Sequence, residues 1–456
     1  MSPARRVAVV GAGPAGLYAA EELARQDRHD VHVDVLDRLP SPYGLVRYGV
    51  APDHPRIKSI TATLSRVLDH PRVRFRGGVA LGADITRQDL LDRYDAVVYA
   101  AGAPADRRMD VPGEDLPGSC SATSFVSWYS GHPDAEQPLA LDAARVAVVG
   151  AGNVALDVAR VLARPPEGLE RTDMPEPVLA ALRAGAVREV VVLARRGPRH
   201  ARFTPKELRE LAGLEGVDVV VDPYGPDLAE ARAGDRTAQA NLRVLAELAG
   251  RPPSGAPRRV ELRFHARPLR VLGERRVTGL EIERTQDGPG APADDAGERT
   301  VLPVGAVVRA VGYRGVPLDT VPFDASRGVV PNDKGRVLDV HGAVCAGEYV
   351  TGWLKRGPSG VIGTNKLDSA ETVALLLDDL DRLPERELLG LDNLLESRGV
   401  RPVGLAGWAR IDSAEQDLGS ARGRDRTKIA DWPTLLRLGR APRPVRETVE
   451  EPPWPS

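Results

Sequence analysis

A strand, a glycine-rich turn and a helix open the chain, the same unit recurs in its middle, and strand-like runs resume after the second unit has ended. Together they predict an α/β protein with two Rossmann-like domains, the second inserted in the first. The first unit reads Val7–Val10, then Gly11 to Gly16, then Leu17 to Ala24, with a second buried strand at Val31 to Leu36. Another strand, Ala96 to Ala100, ends at Ala101-Gly102. The pattern restarts at Arg145–Val149 and has its second strand at Val190 to Ala194.

From Asp222 to Thr300 the chain is more polar. The alternation in Val260–Phe264 predicts antiparallel strands, and Gln286 to Thr300 reads as a surface loop rich in Gly, Pro and Asp. A further apolar strand spans Ala306 to Ala310, and a helix is expected near Ser369 to Leu383. Arg440 to Ser456, rich in proline and charge, reads as a loose tail.

With 456 residues the chain is long enough to bury a sizeable core without disulfides or metal staples. Its formal net charge of −2 gives no global attraction to nucleic acid or to an anionic membrane. The only two cysteines, Cys120 and Cys345, lie far apart. That excludes a C-x-x-C redox pair and any cysteine-ligated zinc or iron–sulfur site, and no metal is expected. The basic Arg5-Arg6 start runs straight into the first glycine turn, so no cleaved leader is read there. No run approaches the ~18 apolar residues needed to span a bilayer. A soluble, cytoplasmic protein is expected.

The turn Gly11-Ala12-Gly13-Pro-Ala-Gly16 has the context in which such glycines bind a dinucleotide. The first permits the tight turn, the second lets a pyrophosphate approach, and the third lets helix and strand pack closely. Asp37 closes the second strand, where an acid binds a ribose diol. Gly150-Ala-Gly152-Asn153-Val154-Ala155 is the second copy, with alanine in the third place, but its second strand ends in Arg195-Arg196. An acid there would repel a 2′-phosphate, whereas guanidinium groups bind one through charge-assisted bonds. One site for FAD or NAD and one for NADP is the economical reading.

Three longer runs carry a resemblance. Ser41–Pro55, Val149–Ala159 and Gly352–Asn365 are similar to segments of adrenodoxin reductase and of the bacterial ferredoxin–NADP⁺ reductases of that type. The resemblance implies a glutathione-reductase-like flavoprotein in which residues 1–106 and 325–456 form the FAD domain and 107–324 the NADP domain. By position, Gly11, Ala12, Gly13, Gly16 and Asp37 would hold the adenine half of FAD, with Val79 meeting the adenine through its backbone. Leu45 and Val46 would lie along the flavin side, and Trp353, Gly360, Val361 and Ile362 at its isoalloxazine end. Gly347-Glu348 is a competing candidate for that last place. For NADP, Gly150, Gly152, Asn153, Val154, Ala155 and Leu156 would surround the pyrophosphate, Arg195 and Arg196 the 2′-phosphate, and Glu207 would be a nearby polar group. His54 and Glu210 are the catalytic candidates beside the nicotinamide, although hydride transfer itself needs alignment and no side-chain acid.

Independently of the resemblance, Gly357, Pro358, Gly360 and Gly363 make a backbone-exposing turn before a helix, whose N-terminus favours the negative charge of a reduced flavin. The implied activity is that of a ferredoxin–NADP⁺ reductase: NADPH to FAD, then single electrons to a ferredoxin or adrenodoxin-like iron–sulfur protein. Arg195, Arg196, Arg199, Arg202 and Lys206 offer an acidic carrier a basic patch, and Lys355 and Arg356 are further candidates. Three alternatives remain at this point: a flavin monooxygenase, a glutamate-synthase-like input subunit (whose cysteine-rich extensions are absent), and a non-catalytic NADP(H)-sensing protein.

Overall fold

The computed structural model describes residues 4–222, 236–285, 297–384 and 388–442. Arg5–Val10 pairs in parallel with both Val31–Asp37 and Ala96–Tyr99, and Val73–Gly77 extends the sheet beyond Val31–Asp37. Val344–Val350 joins parallel to Ala96–Tyr99, and Arg336–Leu338 and Asn332–Asp333 follow antiparallel to complete seven strands. Val7, Val9, Val33, Val35, Val97 and Val98 are fully buried, because helices and loops cover both faces. A sheet covered on both faces needs the continuous β-branched runs seen in the sequence.

The second sheet has six strands, ordered Ser119–Ser121, Ala306–Arg309, Arg145–Val149, Glu189–Leu193, Arg258–Arg263 and Val217–Val221. Every pairing in it is parallel. The expectation of antiparallel pairing at Val260–Phe264 is therefore corrected. Its alternation came from Glu261, which does not face water: it is buried and ion-paired to Arg263 at 2.5 Å and Arg145 at 3.5 Å. Antiparallel strands do form next to it, at Ala266–Leu272, Gly279–Arg284 and Arg299–Leu302. The expected loop Gln286–Thr300 thus ends in a strand, and its residues 286–296 lie outside the described residues, as does 443–456 of the expected tail. The helix expected at Ser369–Leu383 spans Thr364–Leu380, starting directly at the glycine turn.

The chain passes between the sheets beside a short antiparallel ribbon, Ala105–Asp106 against Tyr313–Arg314. A third connection comes from the C-terminal region. Helix Leu405–Ser420 is tied to the first sheet's side of the molecule through Glu415, which Arg47 meets with two hydrogen bonds, at 2.5 and 2.9 Å. The segment after it reaches the other way: Arg424 pairs with Glu176 at 2.7 Å, and Trp432 donates to Asp134 at 2.5 Å. Between them Lys428, almost fully buried, donates to the carbonyl oxygens of Arg47 at 2.6 Å and Ser130 at 3.0 Å.

Burial pushes the Lys428 ammonium down to about 7, while Lys428 and Lys58 overcome burial to hold Asp173 far below the usual carboxylate range. Lys58 is the nearer partner of Asp173, at 2.7 Å against 3.2 Å for Lys428, so Asp173 stays ionised whichever form Lys428 takes. Among the described residues no helix is long and apolar enough to cross a membrane.

Lys428→Met keeps the volume but leaves two buried carbonyl groups without their donor. It is expected to lower unfolding free energy by about 2–4 kcal/mol in urea titrations. A midpoint within error of wild type would show that the segment contributes no stability through Lys428.

Candidate functional site

The first glycine turn is fixed by contacts within the backbone. Gly11 has φ +114°, and a Cβ there would lie 2.5 Å from the Ala100 carbonyl oxygen; a Cβ on Gly16 would lie 1.9 Å from that of Gly11. Both glycines are required by the fold itself. Gly13 differs: a Cβ there would meet nothing nearer than Gly44 Cα at 3.9 Å. The protein supplies no steric reason for glycine at Gly13, whereas a pyrophosphate drawn close to the backbone would. Helix Pro14–Arg25 follows with no side-chain cap on its first turn, so its N-terminus is left for an anion.

Asp37 stands at the end of its strand, half-buried, and accepts the N–H groups of Ala12 at 2.8 Å and Leu39 at 2.9 Å. Burial, the largest influence, raises its pKa despite those two bonds. Val79 is buried and its N–H donates to the Asp37 carbonyl at 2.9 Å. Leu45 and Val46 begin the short helix Leu45–Tyr48, with Val46 buried and Leu45 half-buried.

The third motif abuts the first. A Cβ on Gly352 would lie 2.6 Å from Ala15 Cβ, and Ser369 Oγ donates to the Ala15 carbonyl at 2.9 Å. Trp353 lies beside Tyr313, ring centroids 5.2 Å apart, with its indole N–H on the Ser359 carbonyl at 3.1 Å. Gly360 has φ +81°, Val361 is 67% exposed, and Ile362 packs partly on the core. Thr364 Oγ1 accepts the Val361 N–H at 3.1 Å, while Gly363, which caps the helix, provides no side chain. The competing Glu348 is committed elsewhere: it is buried, bonded by Arg87 at 2.5 Å and by the Tyr99 hydroxyl at 2.7 Å. Lys355 is buried as well, held by Glu371 at 2.5 Å and Asp368 at 3.0 Å, which removes it from any docking surface.

At the second turn Gly150 repeats the role of Gly11, with a notional Cβ 2.3 Å from the Ala310 carbonyl oxygen. Gly152 repeats that of Gly13, with nothing within 4 Å. Ala155 and Leu156 are fully buried and their N–H groups return to the Gly152 carbonyl, at 3.0 and 3.4 Å; Val154 is half-buried. Asn153 Oδ1 accepts the Thr204 N–H at 2.8 Å, which seats the start of helix Pro205–Ala212 beside the turn. Arg195 and Arg196 follow strand Glu189–Leu193 and are exposed, with no carboxylate partner among the described residues.

His54 and Glu210 meet: His54 Nδ1 is 3.2 Å from Glu210 Oε2. The other ring nitrogen is 3.0 Å from Glu207 and 3.2 Å from Asp157. Glu207 thus turns into this cluster, 5% exposed, and away from solvent. Arg160 sits at its centre, donating to Asp53 at 2.6 and 3.0 Å, Asp157 at 2.7 Å and Glu207 at 3.3 Å.

His54 Nε2 also lies 2.5 Å from Arg160 Nη2, a contact that suits a neutral imidazole, whereas the carboxylates suit a protonated one. The charge balance decides. Asp53, Asp157 and Glu207 face Arg160 and Glu210 faces His54, with Arg164 on Asp53 at 3.2 Å and Lys206 on Glu210 at 3.6 Å, so a fourth positive charge completes neutrality. Burial alone would lower the pKa of His54; the hydrogen bonds of Asp157 and Glu207 overcome it and push it up to about 9. His54, Asp157 and Glu207 have the spacing of metal ligands, but Arg160 already provides their counter-charge.

Arg160, Asp157 and Asp53 are the members that the sequence reading did not single out. Asp53 and Asp157 fall inside runs quoted above, and Arg160 stands one helical turn beyond Asp157.

Two sheets with parallel cores, each with an uncapped glycine turn, and an acid ending one second strand but two arginines the other, define a two-dinucleotide oxidoreductase fold. A family model described as pyridine nucleotide-disulphide oxidoreductase matches residues 5–215. The NADPH-ferredoxin reductase FprA of Mycobacterium tuberculosis is 44% identical over 454 residues, covering 95% of this chain and 98% of that protein. The human mitochondrial NADPH:adrenodoxin oxidoreductase is 41% identical over 460 residues, covering 95% of this chain and 91% of that one. A solved structure of the Mycobacterium tuberculosis FprA in complex with NADPH superposes with a TM-score of 0.89 at 43% identity, covering 96% of this chain and 100% of that one. The chain belongs to the adrenodoxin-reductase-type family of NADPH–ferredoxin reductases.

The raised pKa of His54 has a measurable consequence. Its unfolded value is near 6.5 and its folded value about 9, so its contribution to stability is complete below pH 6.5 and is lost as pH rises through 9. The stability difference between wild type and His54→Asn is expected to shrink by up to roughly 3 kcal/mol across that window in urea titrations. A pH-independent difference would mean that His54 is neutral in the fold.

Proposed function

We propose that this chain is an FAD-dependent reductase that takes electrons from NADPH and passes them singly to an acidic ferredoxin-type iron–sulfur protein in the cytoplasm. One observation carries the reading: the two glycine turns share their backbone geometry but end in opposite charge, Asp37 against Arg195-Arg196. The residues present fit the two dinucleotides, because Gly13 and Gly152 keep open the space that each pyrophosphate would use. When bound, FAD accepts a hydride from NADPH and releases the two electrons one at a time.

The chain's own residues do the rest. Asp37 binds the FAD ribose, and Gly11, Ala12, Gly13 and Gly16 admit its pyrophosphate. Leu45, Val46, Val79 and Trp353 line its length, and Gly360, Val361 and Ile362 deliver a helix N-terminus to its ring. Asn153, Val154 and Ala155 form the NADP turn through their backbone, and Arg195 and Arg196 hold the 2′-phosphate. His54 and Glu210 shape and charge the junction between the two sites. We place the domain boundaries at 106/107, at the ribbon where the chain crosses between the sheets, and at 324/325, about ten residues after that ribbon's second strand.

Two arginine contacts of ~1.5–3 kcal/mol each support a preference for NADPH over NADH of about two to four decades, with exposure and salt holding it toward the lower end. In Arg195→Ala/Arg196→Ala the KM for NADPH should rise strongly while NADH kinetics and the flavin spectrum stay unchanged. Equal losses for both coenzymes would sink the phosphate assignment. The function as a whole is tested by anaerobic addition of NADPH, which should bleach the flavin band, and by NADPH-dependent reduction of an added ferredoxin. Rapid NADPH oxidation by oxygen with no ferredoxin reduction would overturn it.

A further inference from the structure

We propose that Arg160 is a positioning residue for the NADPH-to-flavin step, tying the Asp53–His54 turn beside the FAD site to the helix that carries the NADP turn. The inference rests on the function proposed above and adds the element that sets the two sites against each other. Arg160 lies on helix Asn153–Ala163, which begins at Gly152, and its side chain is 1% exposed. Asp53 comes from the other sheet's portion of the chain, in the same Ser41–Pro55 run as Leu45 and Val46.

The contact is a fork: Arg160 Nε donates to Asp53 Oδ2 at 2.6 Å and Nη2 to Oδ1 at 3.0 Å. A planar guanidinium is the side chain that can do this while still bonding Asp157 at 2.7 Å and Glu207 at 3.3 Å. Asp157 and Glu207 belong to the same side as Arg160, so they fix its direction, and Asp53 is what it holds. The other end of the turn is held too, by Lys58 on Asp173 at 2.7 Å. Residues 53–58 are therefore stapled at both ends to the inserted sheet's portion.

Buried ion pairs of this kind add little net stability compared with apolar packing; their gain is a single defined arrangement. Hydride transfer rewards such definition, because a 1 Å misplacement costs on the order of 10² in rate.

The test uses the flavin-loaded, full-length protein as wild type, Arg160→Gln, Arg160→Lys, Asp53→Asn and the Arg160→Gln/Asp53→Asn double variant. Three quantities are measured: the limiting rate of anaerobic flavin reduction by NADPH, the dissociation constant of NADP⁺, and backbone hydrogen exchange over residues 50–60. Arg160→Gln should lose about tenfold or more in the limiting rate, bind NADP⁺ within about threefold of wild type, and exchange faster over 50–60. Asp53→Asn should match it, the double variant should be no worse than the poorer single, and Arg160→Lys should fall between. Where the glutamine variant fails to hold flavin, the lysine variant carries the same comparison.

A loss confined to NADP⁺ affinity, losses that multiply in the double variant, or unchanged exchange over 50–60 would each overturn the proposal. Wild-type flavin that NADPH does not bleach would overturn both this inference and the function. Bleaching in wild type with variants equal to it would overturn this inference alone.

Discussion

At both turns the leading glycine lies under the carbonyl that ends a neighbouring strand, Gly11 under Ala100 and Gly150 under Ala310. A β-carbon at either place would come within 2.5 Å of that oxygen. The strand cannot move away, since Ala96–Tyr99 and Ala306–Arg309 are each hydrogen-bonded on both sides within a parallel sheet. The turn must therefore cross close above the carboxyl end of the sheet, and the following helix is aimed back across it. From this one constraint follow the uncapped N-terminus, the crevice at the strand ends, and the position of the second strand's last residue beside it. In the function proposed above, which dinucleotide each crevice suits is then left to a few side chains that the constraint does not touch, Asp37 on one side and Arg195 and Arg196 on the other.

Each crevice alone would bind a coenzyme; transfer between them requires that the two sheets be held in one relation. The chain meets that requirement with charge, at some cost. Arg160, Lys428, Glu207 and Glu415 are all nearly or fully buried between portions of the two sheets and the C-terminal helices. Removing such groups from water costs several kcal/mol each, and their pairing does little more than return it. Apolar side chains would join the same surfaces more stably but would tolerate sliding. The directional bonds of Arg160 to Asp53, and of Lys428 to the carbonyls of Arg47 and Ser130, do not.

The glycine turns and their flanking strands were legible in the sequence because their signal is local: a buried β-branched run, glycines at fixed spacing, then a helix. Asp37 and the Arg195-Arg196 pair were legible for the same reason, each standing at the end of a recognisable strand. Val260–Phe264 was misread because alternation reports which side chains are polar and says nothing of partners that neutralise them. Glu261 is buried against Arg263 and Arg145, and Arg145 lies more than a hundred residues away in sequence. The ionic cluster was half legible: His54 and Glu210 were candidates, but Arg160 gave no pattern of its own. Its partners come from three separate segments, and only folding brings them together.

The thiols close the argument about where electrons leave. In a dithiol mechanism a cysteine pair beside the flavin takes both electrons at once, which needs two neighbouring sulfurs and an accessible thiolate. Here Cys120 is buried, its thiol pushed up to about 12 by burial, and burial likewise raises Cys345, which is half-buried beside Glu348 and Arg87. Neither pairs with the other, and each belongs to a different sheet. Although the matching family model bears a disulphide's name, this chain has no thiol relay to receive a pair of electrons. In the function proposed above, FAD bound here would supply its electrons to a carrier outside the chain.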